Sequence, residues 1–311
     1  MARWIRIHAS IRGFLVDDRG FEYRNRLLKN FYSLLYGILA YQNVVLVPRH
    51  GDPYTARVTG NLTCRYSGKP DVPVVMHRCT DTETIPFNSY TCDVLGSDDV
   101  PYDRIFQVSL GDRECVEAMT TSNYDCNSTT ISPCFYGTDG GVYTTLLNHV
   151  VAPISVGRIT EVRICFYEPW LKNFARIWTA ILCDCNNFDA IDVNGTSFYI
   201  RGSDQIFGGK VKLLLGVGTS PFSFDNYALE SPKEIDYKIY NHISDTYADI
   251  RIVSYYTPEQ DETVYEVGLV LPIYDTNGNL HDVLILRHVN PDGYKLTGGQ
   301  VNIIEILIYG E

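Results

Sequence analysis

The feature that most constrains this chain is an internal correspondence. GSDDVPYDRIFQVSLGD, starting at Gly96, matches GSDQIFGGKVKLLLGVG, starting at Gly202. TTSNYDCNSTTI from Thr120 and SFDNYALESPKEI from Ser223 follow the two copies, and RITEVRICFY from Arg158 then matches VYEVGLVLPIY from Val264. The matches keep one order and one offset of roughly a hundred residues, the size of a β-sandwich domain. The pattern predicts a tandem duplication in which Glu161 is equivalent to Glu266 and Asn123-Tyr124 to Asn226-Tyr227. Two similar β-domains in a row suit a scaffold or display protein better than an enzyme with one active site.

The rest of the sequence fits a β-rich chain. After Pro48, short apolar runs such as VPVVMH, RIFQVSL, EVRICFY, IWTAILC, KVKLLLGV, EVGLVLPIY and NIIEILIY are broken by Gly, Pro, Asn and Asp. This reads as strands of a sandwich or barrel. DVNGT (Asp192–Thr196) and DTNGN (Asp275–Asn279) are tight-turn signals, because Asn-Gly takes the left-handed conformations such turns need. Residues Trp4–Phe14 alternate as a strand. Leu27, Leu28, Phe31, Leu34, Leu35, Ile38 and Leu39 then recur at helical spacing, opening near Arg24 or Asn25. The uncharged stretch Phe31–Pro48 reads as this helix running into a strand; a membrane is not an expected partner. The expected fold class is therefore mainly β: two tandem antiparallel β-sandwich domains, jelly-roll or Ig-like, preceded by an N-terminal strand and amphipathic helix. The expected boundaries are 1–48 for the strand and helix, 49–189 for a Cys-rich first sandwich and 190–311 for a second. The last strand is expected to be covered on both faces or to complete a neighbour's sheet.

Composition excludes some functions. The net charge of −11 and the lack of any basic run argue against nucleic acid and against anionic lipid. The 23 tyrosines suit strand surfaces first and recognition surfaces second. No secretory signal is visible, since no apolar core follows Arg3, Arg6 and Arg12 before Asp17.

The nine cysteines all precede Asn186. An odd number leaves at least one thiol unpaired within the chain. Cys64 and Cys79 flank one turn, and Cys126 and Cys134 another. These four are candidate disulfide residues, with connectivity open. Cys183 and Cys185 would share a face if IWTAILCDC is a strand. Asn61, Asn127 and Asn194 head glycosylation sequons, of which about two arise by chance in such a composition.

Catalytic patterns are thin. The loop GVGTSP (Gly216–Pro221) lacks the Lys and the helix of a phosphate loop, so its glycines read as a turn. The seven histidines are scattered; His149 and His242 occupy corresponding places in the two copies and read as structural. Glu161 and Glu266 lie inside apolar strands, so each is expected to be buried and bonded to a loop, or to face solvent. No catalytic residue, cofactor or metal is expected.

One pattern resembles a known group. LLLGVGTSPFSFDNYALESP followed by YEVGLVLPIYDTNGNLHDVLILRHV is similar to a "GxGTxP…dYxLe…EvGL…R" pattern of structural proteins of phages and archaeal viruses. Gly216, Gly218, Thr219, Pro221, Tyr227, Leu229 and Glu230 match its first part. Glu266, Gly268, Leu269, Asn277, Gly278, Leu286 and Arg287 match its second. The opening strand and helix resemble the start of such proteins, whereas residues 50–190 depart from the pattern. The resemblance implies a virion protein (capsid, turret, spike, fibre or tail component), self-assembling as a homo-oligomer with other virion proteins and in contact with a host surface glycan or protein. It implies an extracellular particle as the location and carries no catalytic residues. Two rivals remain open: a cell-envelope glycan depolymerase, which needs two carboxylates about 5–10 Å apart, and a cellular adhesin or surface-filament subunit, which usually carries a secretion signal.

Overall fold

The computed structural model describes residues 3–17, 22–25, 29–42, 44–46, 54–57, 63–65, 71–81, 105–110, 115–125, 130–137, 143–145, 158–183, 188–201, 206–243 and 248–310. The chain opens with β1 (Arg3–Asp17), β2 (Glu22–Asn25), α1 (Lys29–Ala40), β3 (Val44–Leu46), β4 (Tyr54–Arg57), β5 (Thr63–Arg65) and β6 (Asp71–Asp81). It continues with β7 (Ile105–Leu110), β8 (Cys115–Asp125), β9 (Thr130–Gly137), β10 (Tyr143–Thr145), β11 (Arg158–Tyr167) and α2 (Lys172–Cys183). Then come β12 (Asp189–Ile191), β13 (Ser197–Tyr199), β14 (Lys212–Gly216), β15 (Lys233–Ile235) and β16 (Lys238–Ile243). The last strands are β17 (Ala248–Tyr256), β18 (Glu262–Tyr274), β19 (Leu280–Leu296) and β20 (Asn302–Gly310). The protein is mainly β, with several sheets and two short helices among the described residues.

An eight-stranded sheet runs in the order β16-β17-β20-β1-β11-β8-β7, with β2 also paired to β1. Its centre is a parallel pair, β1 with β20, from Arg3 opposite Asn302 to Ile11 opposite Gly310. The last strand is thus central within its own chain's sheet, between β17 and β1, and does not lie at an edge waiting for a neighbour. The alternation of WIRIHASI puts Ile5, Ile7, Ala9 and Ile11 on the core face and Trp4, Arg6 and His8 on the other. Ile304, Ile306 and Ile308 of β20 and Ile250 and Ile252 of β17 extend the core face.

Both helices contribute to that core. Phe31, Leu34, Leu35 and Ile38 of α1 join Phe174, Ile177 and Trp178 of α2, with the Phe31 and Trp178 rings 4.9 Å apart. α1 spans Lys29–Ala40 and does not open at Arg24 or Asn25, because Glu22–Asn25 pair with Gly13–Val16 as a strand; Leu27 and Leu28 lie outside the described residues. α2 corrects the reading of IWTAILC as a strand. Leu171, Phe174, Ala175 and Trp178 recur at helical spacing and are all fully buried, and Trp170 stacks on Phe174 at 4.5 Å. The helical period begins before the apolar run, so the run read alone resembles a strand. Cys183 closes α2, and the same-face strand reading of Cys183 with Cys185 falls with it; Cys185 lies outside the described residues.

The second sheet, β15-β14-β18-β19, has four strands, all antiparallel to their neighbours. One face of β18 (Val267, Leu269, Leu271, Ile273) joins the main core. Its other face carries Val270, which packs with Leu171, Leu229 and Leu284 in a smaller cluster. Residues 217–231 therefore form a flap over that face.

The strand orders of the two copies differ, against the expected duplication. β8 lies between β7 and β11 in the first copy, so the strand with Glu161 meets β8 and β1. In the second copy β14 pairs directly with the strand of Glu266, and β19 is on its other side. The local resemblance reflects shared strand and turn chemistry, which repeats without a shared topology. The eight-stranded sheet also draws strands from all three segments expected as units.

Candidate functional site

The motif residues of the second sheet converge on one buried ion pair. Glu266 and Arg287 stand on adjacent strands and are 1% and 3% exposed. Glu266 Oε1 accepts from Arg287 Nε at 2.7 Å and pairs with Nη2 at 2.6 Å. Glu266 Oε2 accepts the backbone N–H groups of Gly218 and Glu230, each at 2.9 Å. Arg287 also donates to the Ser220 and Pro221 carbonyls and to Asn226 Oδ1 at 3.0, 3.2 and 2.8 Å. Four guanidinium N–H groups donate hydrogen bonds, and Nη2 also lies in ion-pair contact with Glu266. Asn226 in turn accepts from the Ser223 backbone at 2.7 Å.

The glycines make room for this pair. A Cβ on Gly218 would stand 2.6 Å from Glu266 Oε2, and one on Gly216 2.5 Å from it. Leu229 drops into the space over Gly268. GVGTSP does receive an anion on its backbone, but the anion is the protein's own Glu266. The arrangement is a clamp that fixes the 217–231 flap to β18 and β19, and its donors and acceptors are spent internally. Glu266 matches the expectation of a buried glutamate bonded to a loop; the side chain of Glu161 lies outside the described residues.

The two Asn-Gly turns form a second polar centre. Asp192 Oδ1 accepts the N–H groups of Asn194 and Thr196, both at 2.9 Å. Asp275 Oδ1 accepts those of Asn277 and Asn279 at 2.8 and 2.7 Å. Gly195 and Gly278, with φ of 82° and 87°, supply the left-handed residue in each turn. His281 bridges them: its Nδ1 lies 3.1 Å from Asp192 Oδ2, its Nε2 lies 3.5 Å from Asp275 Oδ2, and its ring stacks on Phe198 at 4.0 Å. Burial pushes the Asp275 carboxyl up, but hydrogen bonds from Asn279 and Asn277, with the His281 ring close by, outweigh it and hold its pKa at about 2. Asp192 is shifted the same way: burial raises it, and the Thr196, His281 and Asn194 hydrogen bonds bring it below the usual carboxylate range.

The third region is the outer face of the eight-stranded sheet, opposite the core. Trp4, Ile303 and Tyr255 stand in one row across β1, β20 and β17. Trp4 is 58% exposed and Tyr255 60%. The Trp4 indole N–H donates to Glu305 at 3.1 Å, and the Arg6 guanidinium lies 5.0 Å from the Trp4 ring centroid while its Nε also bonds Glu305. Arg251 pairs with Asp249 at 2.9 Å and approaches Glu305 at 3.8 Å. His242 meets Asp249 at 2.8 Å. Glu305 and Asp249 are buried beneath these side chains.

The candidate sites named from sequence fare differently. Cys64 stands opposite Val72, and Cys79, on the same strand as Val72, stands opposite Ser132. Seven residues of β6 separate Val72 from Cys79, about 23 Å at strand rise, so Cys64 and Cys79 do not meet in this register. Cys134 stands opposite His77 and Thr145, and Cys126 lies outside the described residues. No disulfide joins the described cysteines. Asn194 is exposed in its turn, with Thr196 exposed beside it; Asn61 and Asn127 lie outside the described residues. His242 pairs with Asp249, and His149 lies outside.

Sequence reading missed the His281 bridge and the outer-face row. The first was signalled by two D-x-N-G turns with a histidine just after the second. The second was signalled by the alternation that places Trp4, Arg6 and His8 on one side of a strand. Among the described residues no cluster of His, Cys, Asp and Glu is arranged to hold a metal ion, and no helix is long and apolar enough to cross a membrane. The chain matches no known protein family, no curated protein and no solved structure.

Proposed function

We propose that this chain is a structural protein of a virus particle, a spike, turret, fibre or tail component that self-assembles and contacts the host surface. The observation that carries the reading is the clamp. Eight of the fourteen residues that resemble the virion pattern (Gly216, Gly218, Pro221, Leu229, Glu230, Glu266, Gly268 and Arg287) make or make room for one buried network, and Asn277 and Gly278 form the turn at Asp275. A motif scattered over some seventy residues, more than half of which meet in one interlocking packing, reads as a fold signature, and it is the fold of such particles' β-domains that the resemblance points to. A rigid flap on a rigid sheet suits a subunit that must present the same surface in every copy of a symmetric assembly.

Light scattering on the purified chain, with and without reductant, tests the reading. A discrete ring-sized or larger assembly is the expected result, and its loss on reduction would put cysteines at the subunit interface. A monomer under both conditions, at concentrations up to those of a dense particle, would overturn self-assembly.

A further inference from the structure

We infer that the outer face of the eight-stranded sheet is a binding platform for an acidic saccharide, a glycan whose rings carry carboxylates. The proposal deepens the host-contact part of the reading above and rests on it. Trp4 and Tyr255 occupy the same row with only β20 between them, so their strands lie about 9.5 Å apart, two inter-strand spacings. Both rings are more than half exposed, and the residue between them, Ile303, is half-buried. Two aromatic rings held side by side on a flat sheet offer apolar faces to successive pyranose rings, whose C–H faces are their apolar surface.

The platform is preorganised. The Trp4 indole N–H is tied to Glu305, and the Arg6 guanidinium covers part of its ring. Glu305 is itself held by Arg6 and sits 2% exposed, so the indole gives up little freedom on binding.

Charge selects the ligand class. The next rows across the face carry Arg6 and Lys238, then Arg251. Among the described side chains of β1, β20, β17 and β16, the carboxylates on this face are Glu305 and Asp249, both buried below the guanidinium groups. A chain of net charge −11 thus carries more cations than carboxylates among the described side chains of this face, beside two exposed aromatics. Protein–protein interfaces deplete charge from their centres and gather a contiguous apolar core, whereas on this face charged side chains alternate with the rings, Arg251 lying opposite the exposed Tyr240. A carboxylate-bearing saccharide has both halves of the match: ring faces for Trp4 and Tyr255, and carboxylates for guanidinium and ammonium groups.

Calorimetric titration with an oligogalacturonate, and with the neutral oligogalactose of equal length, tests this on the full chain. Binding of the acidic sugar at least tenfold tighter than the neutral one is expected, with loss of more than tenfold in both Trp4→Ala and Tyr255→Ala and no change in Tyr199→Ala, an exposed tyrosine elsewhere. Circular dichroism on each variant shows that the fold is kept. No binding by the wild-type chain, equal binding of both sugars, or binding unchanged in Trp4→Ala would each overturn the proposal. Absence of binding together with a native mass that falls in Trp4→Ala would identify the face as a contact between copies, leaving self-assembly standing and the saccharide platform refuted. Acidic-sugar binding by a chain that stays monomeric would do the reverse.

Discussion

Two carboxylate–arginine networks among the described residues share chemistry and differ in setting. Glu266 and Arg287 lie between the four-stranded sheet and its flap, with both partners almost wholly buried and the guanidinium bonded to four acceptors. Glu305 and Arg251, with Arg6 and Asp249, lie on a sheet face where the carboxylates are buried but the guanidinium groups reach water, Arg6 at 44% and Arg251 at 36%. In the first, desolvation has been met on both sides, so removing either partner strands a charge in the interior. In the second, water can replace a lost partner, and the arginines keep the freedom to meet something outside. The same ion pair is an architectural lock in one place and a displayed surface in the other.

The comparison is broken most sharply by truncating the lock. Glu266→Ala and Arg287→Ala should each destabilise the fold by about 3–5 kcal/mol, the cost of leaving a buried charge without its partner. Arg6→Ala on the outer face should cost less, about 1–3 kcal/mol, because Glu305 keeps the Trp4 indole and Arg251 beside it. Denaturant unfolding of the three variants checks this, and equal losses at the two sites would erase the distinction drawn here.

A gentler test keeps both charges and crowds them. Gly218→Ala pushes a methyl against the Glu266 carboxylate and should cost about 1–3 kcal/mol, as overpacking does. The flap over Val270 should then open first, seen as faster amide exchange at Gly218 and Glu230 than on the core strands.

The smallest effect is a titration that belongs to the Asn-Gly turns and not to either arginine network. The Asp275 pKa is depressed to about 2 in the fold and sits near 4 in an unfolded chain. A depressed carboxylate contributes stability above its unfolded pKa and loses it as pH falls towards the folded one. Unfolding free energy should therefore decline between about pH 4 and pH 2. In Asp275→Asn that decline should be shallower, as thermal melts across this range will show.

Much of the fold was legible because its signals are local. The alternation of WIRIHASI, the apolar stripe Phe31–Leu39 and the turns at Asn194-Gly195 and Asn277-Gly278 each specify one element within a few residues. α2 was missed because its stripe begins at Leu171, ahead of the apolar run that drew attention. The duplication failed for a different reason: strand-sized patterns repeat wherever β-branched runs meet Gly and Asn, and strand order is set by long-range pairing that local patterns do not encode. Of the sites, the importance of Glu266 could be read from a charge inside an apolar strand. Its partner lies twenty-one residues away, and the N–H groups that also hold it belong to a loop thirty-six and forty-eight residues upstream. The aromatic row on the outer face was hidden because Trp4 and Tyr255 become neighbours only through β20.

That parallel pairing of β1 with β20 also dictates a timetable. Arg6 meets Glu305 across a separation of 299 residues, and the sheet's central seam is made of such contacts. While the chain is being synthesised, β1 has an open edge until almost everything described between the two strands has emerged. Closing a loop of that length is entropically late and slow. Until then the apolar row Ile5, Ile7, Ala9 and Ile11 belongs to a half-built sheet, available to the wrong strand. A cell making this protein in quantity would have reason to shield its first strand first.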